Sequence, residues 1–266
     1  MKRILLTVDY DGTRYSGWQW QPKDLTIEEV LDRELSRLLK EEICVKGVSR
    51  TDAGVHALGN LCVFDTESRI PPEKFCYALN RSLPEDIVVL ASREVPEWFH
   101  PRKWDSEKTY EYTIEIGRFP NPLRRRYAYT LYAPLSVPDM EKAAACLVGE
   151  HDFASFCASG SQAESTVRKI LSLELFPEAE ETDGEGRITR GRVMIRITGT
   201  GFLYNMVRII AGTLAEIGRG RREPADMLRI LAAKDRREAG PTAPPEGLCL
   251  KEIRLIDPPW ETGQEA

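Results

Sequence analysis

A short polar segment between two apolar stretches holds the residue best suited to chemistry, Asp52. It follows Arg50 and Thr51 and precedes Ala53 and Gly54. A carboxylate in such a loop serves as a nucleophile or a general base when its surroundings keep it ionised and oriented. An aspartate before a small, glycine-containing turn also serves simply as a turn or helix-cap residue. The local residues leave both interpretations open.

Arg208 is the second unusual residue, because it lies within an apolar stretch that runs from Phe202 to Ala211. A buried guanidinium group without an anionic partner is strongly destabilising. One interpretation is an arginine whose charged end reaches solvent at the edge of a helix. The other is an ion pair with a buried carboxylate, which would lower the pKa of that acid and keep it charged.

Two further features are candidates for a binding site. Tyr110 and Tyr112 share one face of a predicted strand, where aromatic rings either stack on unpaired bases or pack in a core. The segment from Ala239 to Gly247 is rich in glycine and proline. Its restricted backbone suits a rigid loop that lines a cleft, or a simple connection at a sheet edge.

The elements that must position these residues follow from the hydrophobic pattern of the N-terminal part. Thr26 and Glu29 form a capping box, and Leu25 can pack against Val30, so a helix is predicted to begin there. Apolar residues recur at helical spacing as far as Leu39. We predict strands at residues 3–9, 43–48, 61–64 and 87–90, and a second helix at 71–79.

The C-terminal part continues the mixture of strands and helices. Strands are predicted at 108–116, 170–175, 192–198 and 248–255, and helices at about 138–148, 202–217 and 225–233. The acidic segment 174–186 is predicted to be a solvated loop. Because strands and helices do not alternate regularly, the pattern favours an α+β fold with antiparallel sheets. The polar, aromatic stretch 96–105 indicates a boundary between two domains, residues 1–104 and 105–266.

Composition is typical of a folded globular protein, with 266 residues of which 42% are hydrophobic and 30% charged. The net charge is −5, but the segment 174–186 alone contains six acids and no base. Arginines cluster at 124–126, 219–222 and 236–237. Phosphate recognition needs a local positive face and not a positive total, so the charge permits RNA binding without demonstrating it.

Cysteine and histidine spacing indicates neither a local zinc motif nor a disulfide framework, since the six cysteines include no C-x-x-C pair and the three histidines lie far apart. We expect free thiols in a reducing cytoplasm. No stretch approaches the roughly 20 apolar residues of a membrane span. The N-terminus also lacks the long apolar run of a signal peptide.

The octapeptide Arg-Thr-Asp-Ala-Gly-Val-His-Ala, residues 50–57, resembles the signature of the tRNA pseudouridine synthase A family. Further segments resemble that family in the same order. They are Tyr10–Thr13, Gly17–Gln19, Lys108–Tyr112, Phe202–Arg208, Asp235–Arg236, Ala239–Pro244 and Gly247–Leu248. The resemblance therefore covers nearly the whole chain.

The resemblance implies a role for each of five residues. Asp52 matches the essential catalytic aspartate, and Arg208 matches the arginine that pairs with it. Tyr110 matches the active-site tyrosine that stacks on the target base, and Leu248 matches the apolar residue beneath that base. Arg50 matches a basic residue that assists RNA binding and displacement of the target nucleotide.

The same resemblance implies a fold and an activity. The expected fold has two α/β domains built on mixed, mostly antiparallel sheets flanked by helices, with the active-site cleft between them. The expected enzyme is a cytoplasmic homodimer that isomerises uridine to pseudouridine without a metal or cofactor. Its expected substrate is the anticodon stem-loop of tRNA, at position 38, 39 or 40 or at more than one of them. Shape and backbone contacts are expected to dominate recognition.

Several positions depart from the family pattern, among them Ser49, Asn60 and Pro101. They affect RNA contact and packing and leave the implied catalytic positions intact. Two other functions stay open from the sequence. One is a catalytically silent RNA-binding protein of the same fold, which would need a lesion at a catalytic position. The other is a metal-dependent phosphoesterase that uses Asp52 and histidines.

Overall fold

The structure is a computed structural model that describes residues 1–258 and residue 260. The chain forms two compact units. The first comprises Met1–Glu107 together with the segment that begins at Leu250, and the second comprises Lys108–Cys249. The division after residue 107 lies close to the predicted boundary at residue 104. The described residues from Leu250 onward, which lie in the predicted second domain, group with the first unit.

The strands and longer helices alternate irregularly along the chain. In order they are β1 (Lys2–Tyr10), α1 (Ile27–Leu39), β2 (Lys46–Gly47), β3 (His56–Thr66), α2 (Phe75–Leu79), β4 (Ile87–Val95), β5 (Ser106–Ile116), β6 (Tyr129–Leu131), α3 (Val137–Ala145), β7 (Gly149–Asp152), β8 (Val167–Thr182), β9 (Ile188–Gly199), α4 (Met206–Gly218), α5 (Asp226–Ala233) and β10 (Leu248–Leu255). Short 3₁₀ turns connect some of them.

The sheet of the first unit has the strand order β4-β1-β3-β10, and β2 adds to β3. Strand β1 pairs antiparallel with both β3 and β4. Its residues Ile4, Leu6 and Val8 are fully buried, as an alternating pattern predicts. Helix α1 begins as its capping box predicts, because the Thr26 hydroxyl accepts the Glu29 N–H.

The sheet of the second unit is mixed. Its strand order is β5-β9-β8-β7. Strand β6 pairs with β5 in parallel, whereas the pairs β5–β9, β9–β8 and β8–β7 are antiparallel. Helices α3 and α4 pack together, and α3 also packs on β8. Both units are thus mixed α/β structures whose sheets are flanked by helices, which confirms the expected fold class.

The prediction that residues 174–186 form a solvated loop is wrong. Strand β8 continues to Thr182 and pairs antiparallel with β9, so that only the residues between the two strands form a turn. The acids face arginines across the hairpin: Arg190 lies 3.2 Å from Glu181, and Arg187 lies 2.8 Å from Asp183. Because opposite charges on facing strands attract, the acidic run is compatible with a strand.

Other boundaries also differ from the predictions. The strand predicted at 43–48 is limited to Lys46–Gly47, and the helix predicted at 71–79 is a 3₁₀ turn, Pro72–Lys74, followed by α2. The helix predicted from residue 202 begins at Met206, because Asn205 adopts a left-handed conformation with a φ of 59°. No helix in the described part of the chain is long and apolar enough to cross a membrane.

Candidate active site

Asp52 lies in the loop that joins β2 to β3, and its side chain is half-buried. The loop backbone is attached on both sides of Asp52 to the segment that follows β1. The N–H of Trp18 donates to the Thr51 carbonyl at 3.1 Å, and the N–H of Gly54 donates to the Tyr15 carbonyl at 3.1 Å. These two bonds fix the course of the loop around the carboxylate.

Glycines allow the two segments to approach this closely. A Cβ atom on Gly17 would lie 2.5 Å from the carbonyl oxygen of Thr51, and one on Gly12 would lie 2.0 Å from that of Val55. Gly17 also has a φ of +89°, which side chains disfavour. Gly12 and Gly17, which belong to the segments that resemble the family, therefore allow the backbone to pack closely against the Asp52 loop.

A buried hydrogen-bond network supports the loop from the sheet side. The hydroxyl groups of Tyr10 and Thr51 lie 2.7 Å apart. The amide of Asn60 donates to the Tyr10 hydroxyl at 3.1 Å and to the Ser49 carbonyl at 3.2 Å. Asn60, noted as a departure from the family pattern, thus ties β3 to both β1 and the loop. Sequence reasoning did not find this network, since its members are far apart in the chain.

Two arginines, Arg50 and Arg102, place positive charge near the Asp52 loop. Arg50 is exposed, and Arg102 donates from Nε to the Gly47 carbonyl at 2.9 Å. Burial, and secondly the nearby charge of Arg50, lower the pKa of Arg102 below its ordinary value. Two guanidinium groups therefore lie close enough in the first unit for the charge of one to act on the other. Sequence reasoning identified Arg50 but not Arg102.

Arg208 lies in the first turn of α4 and is half-buried. Its Nη1 donates to the side-chain oxygen of Asn205 at 2.7 Å, and its Nε donates to the Ala243 carbonyl at 2.8 Å. Since two of its nitrogens are bound in different directions, the plane of the guanidinium is fixed.

The glycine- and proline-rich loop is attached to α4 and β5. A Cβ atom on Gly212 would lie 1.9 Å from the carbonyl oxygen of Pro241, so the helix and the loop are in backbone contact. The hydroxyl of Tyr112 donates to the Pro244 carbonyl at 2.8 Å. Gly247 lies directly against the Tyr112 ring. The loop is therefore fixed to α4 and to β5.

The two tyrosines of β5 are both buried but make different contacts. Tyr112 is fully buried, and burial raises the pKa of its phenol far above the ordinary value, with the charge of Glu246 adding to the rise and that of Arg208 opposing it. Tyr112 is therefore a neutral core residue. Tyr110 is 7% exposed, and its ring meets Phe202 edge to face at a centroid distance of 5.2 Å.

The five residues singled out by resemblance fall into two groups. Asp52 and Arg50 belong to the first unit, whereas Tyr110, Arg208 and Leu248 belong to the second. Leu248 is buried at the start of β10. Within residues 1–258 and 260, no group of three or more histidine, cysteine, aspartate or glutamate side chains is arranged to hold a metal ion.

A mixed α/β fold with a rigid aspartate loop is compatible with an RNA-modifying enzyme. Comparison with known families identifies one family over most of the chain. The model described as tRNA pseudouridine synthase matches residues 6–102 and 143–254. The chain therefore belongs to the tRNA pseudouridine synthase family, which confirms the resemblance seen in the sequence.

Curated relatives agree with this assignment. The tRNA pseudouridine synthase A of Ruminiclostridium cellulolyticum is 44% identical over 253 residues, covering 95% of this chain and 99% of the relative. That of Myxococcus xanthus is 44% identical over 259 residues, covering 97% and 94%. That of Geobacter sulfurreducens is 42% identical over 255 residues, covering 96% and 100%. The chain thus aligns with these relatives along nearly their full length.

Proposed function

We propose that this protein isomerises uridine to pseudouridine in the anticodon stem-loop of tRNA, with Asp52 as its essential catalytic residue. The observation that carries the proposal is the family match, which includes both the Asp52 loop and the segments that hold it. An isomerisation conserves every atom of the substrate. It therefore needs no co-substrate, and we propose that it proceeds without a metal or cofactor.

The reaction breaks the C–N bond between uracil and ribose, turns the base, and rejoins it through carbon. A carboxylate for this work must be held in one position while the base moves, because misplacement by about 1 Å costs roughly 100-fold in rate. Two bonds between the Asp52 loop and the segment after β1 supply that rigidity: the Trp18 N–H donates to the Thr51 carbonyl, and the Gly54 N–H donates to the Tyr15 carbonyl.

The second unit supplies the remaining proposed roles. We assign Arg208 as the partner of Asp52, Tyr110 as the ring on which the target base stacks, and Leu248 as the apolar support beneath the base. The fixed guanidinium plane of Arg208 suits a defined ion pair. The edge contact with Phe202 holds the Tyr110 ring in one orientation.

Displacement of the target nucleotide falls to Arg50 in this proposal. Extruding a base from a helical stack costs about a few kcal/mol, which contacts to the RNA must offset. Arg50 is exposed beside the Asp52 loop and near a second guanidinium, that of Arg102, so it can bind the backbone or occupy the vacated position. We further propose that the enzyme is a cytoplasmic homodimer, as the resemblance implies.

The experiment is a pseudouridine assay on unmodified tRNA transcript in the presence of EDTA, with the modified position mapped. We expect pseudouridine in the anticodon arm despite the chelator. Activity that disappears with EDTA and returns with added metal would favour a metal-dependent enzyme. Tight tRNA binding without product would favour a catalytically silent RNA-binding protein, and either result would overturn the proposal.

A further inference from the structure

A groove of about 430 Å³ opens on the second unit beside the proposed base-stacking residue. Its lining includes Lys108, Arg168 and Lys169, with Glu150 as the acid among its lining side chains. Lys108 precedes Tyr110 by two residues on β5, so both side chains project from the same face of that strand. The groove is therefore adjacent to Tyr110 by covalent structure alone.

The charge of the groove suits a polyanion. The groove is lined by three cationic side chains and one carboxylate, although the net charge of the whole protein is −5. Lys169 and Glu150 are exposed, and Lys108 and Arg168 are half-buried. Cations gathered in a concave site raise the local concentration of anions, whatever the total charge of the protein.

The groove has a rigid frame. Nη1 of Arg168 donates to the carbonyls of Ser165 and Val167, at 2.9 and 2.6 Å, which fixes the direction of the guanidinium. The N–H of Thr200 donates to the Lys169 carbonyl at 3.2 Å. The turn after β9 is thereby tied to β8, and the cations project from a fixed backbone.

Phe202 connects the groove with the proposed base site. Its half-buried ring lines the groove and also meets the Tyr110 ring edge to face. Aromatic rings bind unpaired bases by stacking, irrespective of sequence. If the target base of an RNA strand lies at Tyr110, the adjoining part of the strand lies next to the Phe202 ring and then next to the cationic side chains of the groove.

We propose that this groove binds a nucleotide that flanks the target uridine, with its base against Phe202 and its phosphodiester against the cationic lining. The inference rests on the proposed function, because it requires that the target uridine binds at Tyr110. Lys108 and Thr200 complete the polar lining.

The test compares three full-length variants: Lys169→Gln, Glu150→Gln and, as a matched control, Lys142→Gln. Lys142 is an exposed lysine of the same unit, on α3, paired with Asp139 at 3.1 Å. The dissociation constant for tRNA is measured at several salt concentrations, together with KM and kcat for pseudouridine formation.

We expect Lys169→Gln to weaken tRNA binding and raise KM by about three- to tenfold, and to reduce the slope of log K against log salt by about one. Glu150→Gln removes the opposing charge, so it should shift binding in the opposite direction. Lys142→Gln should match the unaltered protein. The effect of Lys169→Gln should fall on KM and not on kcat.

Lys169→Gln and Glu150→Gln variants with the affinity and salt slope of the control would overturn the inference, and so would a fall in kcat at constant KM. Failure of the proposed function is distinguished by the unaltered protein. If that protein binds tRNA but forms no pseudouridine, the proposed function fails, whereas the salt slopes still decide whether the groove binds RNA.

Discussion

Arg208 and Ala243 are joined by two hydrogen bonds of opposite direction. The Ala243 N–H donates to the main-chain carbonyl of Arg208 at 3.1 Å, and the Arg208 Nε donates to the Ala243 carbonyl at 2.8 Å. The glycine- and proline-rich loop thus orients the side chain that we assign as the partner of Asp52. A residue 35 positions away decides where the charge of Arg208 points.

This relationship predicts how Arg208 responds to substitution. Arg208→Met removes the charge, and we expect kcat to fall by at least about 100-fold. Arg208→Lys keeps the charge but cannot reproduce the planar fork that meets Asn205 and Ala243, so its kcat should be intermediate. Steady-state pseudouridine assays at saturating tRNA measure kcat for each variant.

Arg190→Met is the matched control for Arg208, because Arg190 is an exposed arginine of the same unit that pairs with Glu180 and Glu181 on the hairpin. Exposed ion pairs contribute about 1 kcal/mol or less, so Arg190→Met should keep both its stability and its turnover. Equal turnover for Arg208→Met and Arg190→Met would refute the assigned role of Arg208.

The Asp52 carboxylate is the subject of the second prediction. Asp52→Asn preserves the size of the side chain and removes its charge, so we expect tRNA binding and thermal stability to persist while turnover falls by at least about 1,000-fold. Asp24→Asn, at an exposed aspartate of the same unit, should retain full activity. Appreciable pseudouridine from a clean Asp52→Asn preparation would contradict the assignment.

Backbone contact at Gly17 gives the third prediction. Gly17→Ala places a Cβ atom against the Thr51 carbonyl at a position with a φ of +89°. Gly160 has a similar φ of +86° but nothing within 4 Å of its Cβ position, so Gly160→Ala isolates the conformational cost of about 1–2 kcal/mol. Urea denaturation and kcat are measured for both variants.

We expect Gly17→Ala to lose more stability than Gly160→Ala and, unlike it, to lose turnover, because the collision displaces the loop that carries Asp52. Equal losses of stability with unchanged kcat in both variants would mean that the Asp52 loop tolerates movement at Gly17.

Asp32 gives the fourth prediction, on stability and pH. Burial raises the pKa of Asp32 to about 6, while the bond from the Val45 N–H lowers that pKa and the charge of Glu28 raises it further. In the unfolded chain the pKa is about 4. The folded state therefore binds this proton more tightly. That stabilisation is fully present below about pH 4 and is lost as the pH rises through 6.

Asp32→Asn keeps an oxygen that can accept the Val45 N–H and never ionises. We expect it to raise the free energy of unfolding by about 2 kcal/mol at pH 8, with the gain shrinking as the pH falls towards 4. Urea denaturation at several pH values measures this, and Asp24→Asn provides the control. A gain independent of pH would show that ionisation of Asp32 is not its source.

Local pattern and motif determined much of this protein from the sequence alone. The capping box and helical spacing predicted α1, and strict alternation predicted β5, because these signals depend on neighbours within a few residues. The octapeptide around Asp52, with the segments that match in order, was sufficient to identify the family. Each of these properties depends on residues that lie close together in the sequence.

Tertiary structure alone decided the features that depend on distant partners. The acidic residues before Thr182 form a strand because arginines of β9 face them, and no local rule predicts that pairing. The Tyr10, Thr51 and Asn60 network and the bond between Arg208 and Ala243 likewise join residues brought together by folding. Hydrogen bonds and ion pairs act over a few ångströms in space, whatever the separation of the residues along the chain. The hydrogen bonds that hold the site residues could therefore be identified only from the tertiary structure.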